Sequence, residues 1–201
     1  MARSSAPAPG APSRDRIVAG AADLISRRGL KAASIREVAK HAKAPLGSTY
    51  HYFPEGKQQL ATEAVRYAGA AVSGVLRRQL DAGPVAGLRA FLALWRGIVV
   101  ESDFRAGCPV LAVSVEEPPA DETPPALAAA AEAFQDWERL LAETLRTHGA
   151  DAERAPGLAA LIVASVEGAI AMSRARRSME PLDQVAEQLE ALIVGAVGGP
   201  A

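Results

Sequence analysis

One cysteine, Cys108, in 201 residues leaves no intramolecular disulfide to staple this chain, which fits a reducing compartment and a fold resting on its apolar core. Residues 2–12, ARSSAPAPGAP, contain no apolar run, so a secretory signal is not expected there; they read as a disordered arm. The apolar stretch from Leu158 to Met172 is interrupted by Glu167 and reads as too short to span a bilayer. A cytoplasmic protein without a membrane partner is therefore expected. Period-two alternation of the kind that marks strands is absent, as is any internal repeat, and the whole chain reads as all-α.

Catalytic constellations are missing as well. Cys108 has no histidine near it in sequence, and an apolar setting disfavours a thiolate. His41, His51 and His148 lack spacing suited to a metal ion and have no cysteine pair beside them. Glu116 and Glu117 are neighbours at a helix end and face different directions, which suits no paired-carboxylate chemistry. A glycine-rich phosphate loop is absent too. Neither enzymatic activity nor a cofactor is expected.

What is present is strongly uneven. The net charge of −1 hides a division: through Lys57 there are ten Lys and Arg against four Asp and Glu, and beyond it 12 against 19. A basic N-terminal end beside an acidic remainder localises any attraction for nucleic acid. Inside that basic end lies SIREVAKHAKAPLGSTYHYFPEGK, residues 34–57. Ser34 is placed to accept from the amide of Glu37, and the Glu37 side chain to reach back to the Ser34 amide, a capping box. Ile35, Val38, Ala39 and Ala42 follow at helical spacing, with Arg36, Lys40 and Lys43 on the opposite face. Pro45 suits the first turn of a second short helix. Thr49 and Phe53 share its inward face, while Leu46, Gly47, Ser48, Tyr50, His51 and Tyr52 project elsewhere. Lys57 then opens a third helix, placed to meet a phosphate. A short helix of small, polar and aromatic residues makes a poor core but suits a major groove. Taken singly, the cap and the aromatic cluster are equally explained by ordinary packing; their combination is not.

These residues resemble the N-terminal domain of the TetR family of bacterial transcriptional repressors. The likeness covers a first helix ending at Gly29-Leu30, then SIREVA, GSTYHYFP, Lys57 and Leu60. FRAGCPV, residues 104–110, with the extra residue in PEGK, is similar to the LmrA/YxaF-like branch. The resemblance implies roles for individual side chains. Ser34 caps the first helix of the pair at the DNA interface, and Arg36 reads a base edge or a phosphate. Leu46, Gly47 and Ser48 form the base-facing start of the recognition helix, where Leu46 can meet only a thymine methyl. Tyr50, His51 and Tyr52 touch phosphates and sugars, and Lys57 grips a phosphate. Arg3 and Arg14 are candidates for arm contacts. Lys43 stands where relatives carry glycine, at a position that often needs a positive φ, a cost of roughly 1 kcal/mol; it adds a further candidate phosphate contact.

The remaining helices are expected over about 13–28, 57–80, 85–102, 109–117, 126–148, 151–178 and 182–197, with a Pro-rich loop after Glu117. In the helix from Lys57, Leu60, Ala64, Tyr67, Ala68, Ala71, Val75 and Leu76 lie along one side. The organisation expected is an arm over 1–12, a DNA-binding domain over 13–60 joined through helix 57–80, and an effector-binding and dimerisation domain over 81–201. Both tryptophans and three of the four phenylalanines fall in the last: Phe91, Trp95, Phe104, Phe134 and Trp137. With Cys108, Ser114, Glu117 and Arg96 as polar neighbours they would suit a small lipophilic or aromatic effector, although core packing explains any one of them. The resemblance further implies a homodimer formed by the last two long helices, whose alanine- and glycine-containing faces permit close approach. The expectation is a dimeric repressor on a palindromic double-stranded operator, released by its effector. The alternative is a helical small-molecule binding protein whose DNA-binding domain no longer works.

Overall fold

The computed structural model describes residues 13–117 and 124–198, which contain no β-strand. In chain order the helices are α1 (Ser13–Arg28), α2 (Ile35–His41), α3 (Leu46–Tyr52), α4 (Lys57–Leu80), α5 (Pro84–Glu101), α6 (Pro109–Ser114), α7 (Pro125–Thr147), α8 (Ala155–Arg176) and α9 (Glu180–Val197). The all-α class read from the sequence holds. The N-terminal arm, Arg3 included, lies outside the described residues. Packing forms two compact units: one draws on the chain through Ala70 and from Cys108 to Ala133, the other on Ala71–Gly107 and the chain from Phe134 onward.

In the first unit, Ile17, Ala21, Leu24 and Ile25 of α1 are buried, as their spacing predicts. Gly29 ends the helix with φ 76, its amide bonded to the Ile25 carbonyl at 2.9 Å. Close approach of α1 to the end of α2 requires Gly20, where an added Cβ would fall 2.8 Å from the Cβ of Ala42. Helix α6 packs on α1, and Glu116, just beyond it, accepts from the amides of Leu30 and Lys31. The buried stripe of α4 differs from the predicted one. Leu60, Ala64 and Leu76 are inside, but Tyr67 is 40% exposed, and Val65 and Val72 are buried instead. On the covered side Gly69 admits Ala133, whose Cβ lies 2.8 Å from where a Cβ at 69 would be.

In the second unit, α5 packs on α8 and α9, and α8 on α9. Arg89 pairs with Glu190 and Arg96 with Asp183, so α5 and α9 run antiparallel. Asp136 gathers Ser73 at 2.6 Å, Arg77 at 3.1 Å and Arg139, joining the second half of α4 to α7. Helix α8 starts at Ala155 rather than near 151 because Asp151 caps the turn before it, accepting from the amides of Glu153 and Arg154 at 2.9 Å each. At 22 residues α8 is also longer than the apolar stretch suggests, and by length and composition it would suffice to cross a membrane. Its packing against α5 and α9, with Glu167 buried, is that of a core helix.

The loop after α5 carries unusual backbone. Asp103 and Phe104 have φ of 55 and 59, and Arg177, at the end of α8, has φ 50. These three non-glycine residues touch: Arg177 Nη2 donates to Asp103 Oδ1 at 2.8 Å and the guanidinium lies 5.7 Å from the Phe104 ring centroid.

Candidate DNA-binding and effector sites

The interface begins with the cap of α2. Ser34 Oγ accepts from the Glu37 amide at 3.2 Å. The reciprocal arm of the capping box does not form, because the Ser34 amide donates instead to the Ala32 carbonyl at 3.1 Å. Ile35, Val38, Ala39 and Ala42 are buried, leaving Arg36, Lys40 and Lys43 exposed. In the turn, Lys43 adopts φ 51, its amide bonding to the Lys40 carbonyl at 3.2 Å and that of Ala44 to the Ala39 carbonyl at 2.9 Å. The lysine accepts the left-handed geometry of a glycine, and the turn closes.

Pro45 serves as the N-cap of α3 rather than lying within it; its carbonyl accepts from the Thr49 amide at 3.1 Å and from Thr49 Oγ1 at 3.0 Å. Thr49 and Phe53, both 0% exposed, anchor α3. Its other face is left to solvent: Gly47, Tyr50 and His51 are exposed, and Leu46, Ser48 and Tyr52 partly so. The rings of His51 and Tyr52 lie 5.7 Å apart. Lys57, half-buried at the start of α4, donates from Nζ to the Lys31 carbonyl at 3.3 Å. The α1–α2 turn is thus held twice, by Glu116 on its amides and by Lys57 on a carbonyl. Arg14 is committed internally, to Glu63 at 2.6 Å and over the Phe53 ring at 5.4 Å. His41 bonds Asp23 at 2.6 Å.

The residues expected around an effector divide. Phe91, Trp95, Trp137 and Phe134 form an edge-to-face cluster in the second unit, with centroid separations from 5.4 Å to 6.5 Å. Phe104 is not in that cluster and lies under Arg177. Cys108 and Ser114 belong to the first unit and serve α6 itself, Cys108 Sγ accepting from the Leu111 amide at 3.4 Å and Ser114 Oγ donating to the Val110 carbonyl at 2.9 Å. Arg96 points to Asp183. Glu117 borders a cavity of about 240 Å³ in the first unit, with Leu30, Lys57, Ala61, Val113 and Glu116 also in its wall. That cavity has no signature in the sequence, and neither has the Glu116 contact across 86 positions.

A capped helix, a closed turn and a short helix with an open polar-aromatic face define a helix-turn-helix transcriptional regulator. Comparison with known proteins gives the family. Residues 17–64 match the model of bacterial regulatory proteins of the tetR family, and residues 84–188 match the C-terminal domain of LmrA/YxaF-like transcriptional regulators. The chain is 42% identical over 184 residues to an HTH-type transcriptional regulator of Mycobacterium tuberculosis, covering 90% of this chain and 94% of that one. It is 30% identical over 174 residues to the HTH-type transcriptional regulator LmrA of Bacillus subtilis, covering 85% and 90%. A TetR transcriptional regulator from Legionella pneumophila has the same fold, with a TM-score of 0.80 at 20% identity over 90% of this chain and 97% of that one. This chain belongs to the TetR family, in its LmrA/YxaF-like branch.

Proposed function

We propose that this regulator is a cytoplasmic, ligand-responsive repressor acting as a homodimer on a palindromic operator. Residues 13–60 are its DNA-binding domain and 81–201 its effector-binding and dimerisation domain, linked by α4. The observation that carries the reading is the outward face of α3, anchored by Thr49 and Phe53 and open to solvent at Gly47, Tyr50 and His51, with Tyr50 55% exposed. On that face Leu46, Gly47 and Ser48 meet base edges, while Tyr50, His51 and Tyr52, with Arg36 and Lys43 on the flank, meet the backbone. Ser34 contributes by fixing the start of α2. One seven-residue helix reads few base pairs, and two-fold pairing doubles the contacts over half-sites one helical turn, about 34 Å, apart.

Release follows as a population shift. An effector that favours a conformer whose recognition helices no longer match successive grooves lowers DNA affinity, and coupling of roughly 1–3 kcal/mol suffices. A small apolar or aromatic molecule at the Phe91–Trp95–Trp137 cluster is the effector in this reading. An idle DNA-binding domain would be favoured by a turn that Lys43 distorts; the φ of 51 at Lys43 is instead the left-handed geometry that glycine takes in such a turn.

The test is a salt titration of operator binding by Lys57→Ala. Affinity is expected to fall on all sequences, with the log–log salt slope shallower by about one. An unchanged slope would remove Lys57 from the phosphate contacts. Absence of any protected palindrome near the gene would sink the repressor reading itself.

A further inference from the structure

We propose that the cavity of the first unit is a ligand site for an apolar α-amino acid, with the carboxylate on Lys57, the ammonium on Glu116 and the side chain inside. This site is separate from the effector position in the second unit. It draws on the proposed function only in giving Lys57 a DNA phosphate to hold.

The cavity, of about 240 Å³, lies where the α1–α2 turn, the start of α4, the end of α6 and the start of α7 meet. All four belong to the first unit. Leu30, Ala61, Val113, Ala126 and Leu127 supply an apolar wall. Sites for drug-sized ligands run to roughly 300–1,000 Å³, so the occupant is a smaller molecule, of leucine's size. The charged lining consists of two lysines, Lys31 and Lys57, and two glutamates, Glu116 and Glu117, a formal balance of zero. A guest of one charge is repelled by half of these groups, whereas a guest carrying both charges can face each with its opposite.

Glu116 and Lys57, both half-buried, are held in place yet lack counter-ions. They clamp the same residue: Glu116 Oε1 accepts from the Lys31 amide at 3.1 Å, and Lys57 Nζ donates to the Lys31 carbonyl at 3.3 Å. Those partners are neutral backbone groups, and among the described residues neither side chain has an opposite charge within ion-pair distance. The amide nitrogen and carbonyl oxygen of one residue are about 3 Å apart by standard bond lengths, so the two charges stand no more than roughly 10 Å from each other. An α-amino acid head group, with a charge-assisted hydrogen bond of about 2.8 Å at each end, bridges a gap of that order. Lys57 keeps further N–H donors and Glu116 its second oxygen, so binding needs no release of the turn. A carboxylate on Lys57 competes with a DNA phosphate for the same ammonium, and by linkage each ligand weakens the other.

The probe is L-leucine, compared with 4-methylpentanoate, which lacks its ammonium, and 3-methylbutylamine, which lacks its carboxylate. Binding to the full chain is read by calorimetry and by the methyl signals of Leu30, Val113 and Leu127 in a ¹H–¹³C spectrum. Leucine is expected to move those methyls and to bind at least about 5-fold tighter than either analogue. Glu116→Gln keeps an acceptor for the turn amides but loses the charge, so it should erase leucine's advantage over 4-methylpentanoate without weakening the acid itself. Lys57→Met should erase the advantage over the amine. Unmoved methyls, equal binding of leucine and either analogue, or an advantage over the acid that survives Glu116→Gln each overturn the site. Shifts confined to the indole signals of Trp95 and Trp137, in the second unit, overturn it equally. Affinity for an arbitrary duplex at low salt, where phosphate contacts dominate, separates this site from the DNA reading. Leucine is expected to lower that affinity about 5-fold. Leucine bound at the cavity with duplex affinity unchanged upholds the site and removes Lys57 from the phosphate contacts. A chain that binds leucine there but ignores every duplex upholds the site and ends the repressor reading.

Discussion

Lys43 holds a backbone conformation suited to glycine while presenting a cation on the flank of the recognition helix. Lys43→Gly is expected to stabilise the fold by up to about 1 kcal/mol in chemical denaturation, because the left-handed strain disappears. The same change should weaken operator binding and flatten its salt dependence. A variant both more stable and undiminished in affinity would show that the lysine has no part in recognition. The sequence made this residue legible because glycine is the expected occupant of such a turn. It could not show how the Ser34 amide would be used, since the choice between Glu37 and the Ala32 carbonyl depends on turn geometry that no local pattern encodes.

Among the elements, α2 and α3 were readable because their signals are local: a cap, a proline and a four-residue apolar spacing. What holds the turn before them was not. Glu116 approaches the α1–α2 turn from 86 positions away, and only the packing of α6 on α1 reveals it. Glu116→Ala would leave the Leu30 and Lys31 amides without that acceptor, and thermal unfolding should register about 1–3 kcal/mol of lost stability. Faster amide exchange at Leu30 and Lys31 would localise it. The junction of α4 with α7 gives a pH prediction. Burial alone would raise the Asp136 carboxyl, but the Ser73 hydroxyl and the guanidiniums of Arg139 and Arg77 outweigh it and hold the group below its ordinary value. A depressed folded-state pKa stabilises above the unfolded value, near 3.9, and the benefit is lost as pH falls through the folded one. The stability gap between the protein and Asp136→Asn should therefore be constant near neutrality and shrink only below about pH 4. A gap independent of pH would contradict the assignment.

For the whole molecule, the exposed apolar residues of the last two helices matter most. Leu161 and Met172 on α8 and Leu192 and Val194 on α9 are each about half exposed, and the same faces carry the small residues noted in the sequence. Paired Leu161→Glu and Leu192→Glu substitutions are expected to give monomers in light scattering and to lower operator affinity by at least tenfold, since half the contacts are lost. Dimers surviving both changes would move the interface elsewhere. The sequence disclosed that α8 is apolar; it could not disclose which flank is covered within the subunit, because α8 is apolar nearly all round.

The contact of Asp103, Phe104 and Arg177 bears on how this protein would respond to selection for heat tolerance. Each position invites glycine on backbone grounds, but Asp103 and Arg177 grip one another, so glycine at either frees the backbone while cutting the tether. Phe104, half-buried, has ring packing and the stacked guanidinium to lose but no such tether. A library under thermal challenge should consequently enrich glycine at 104 and retain the acidic and basic pair beside it.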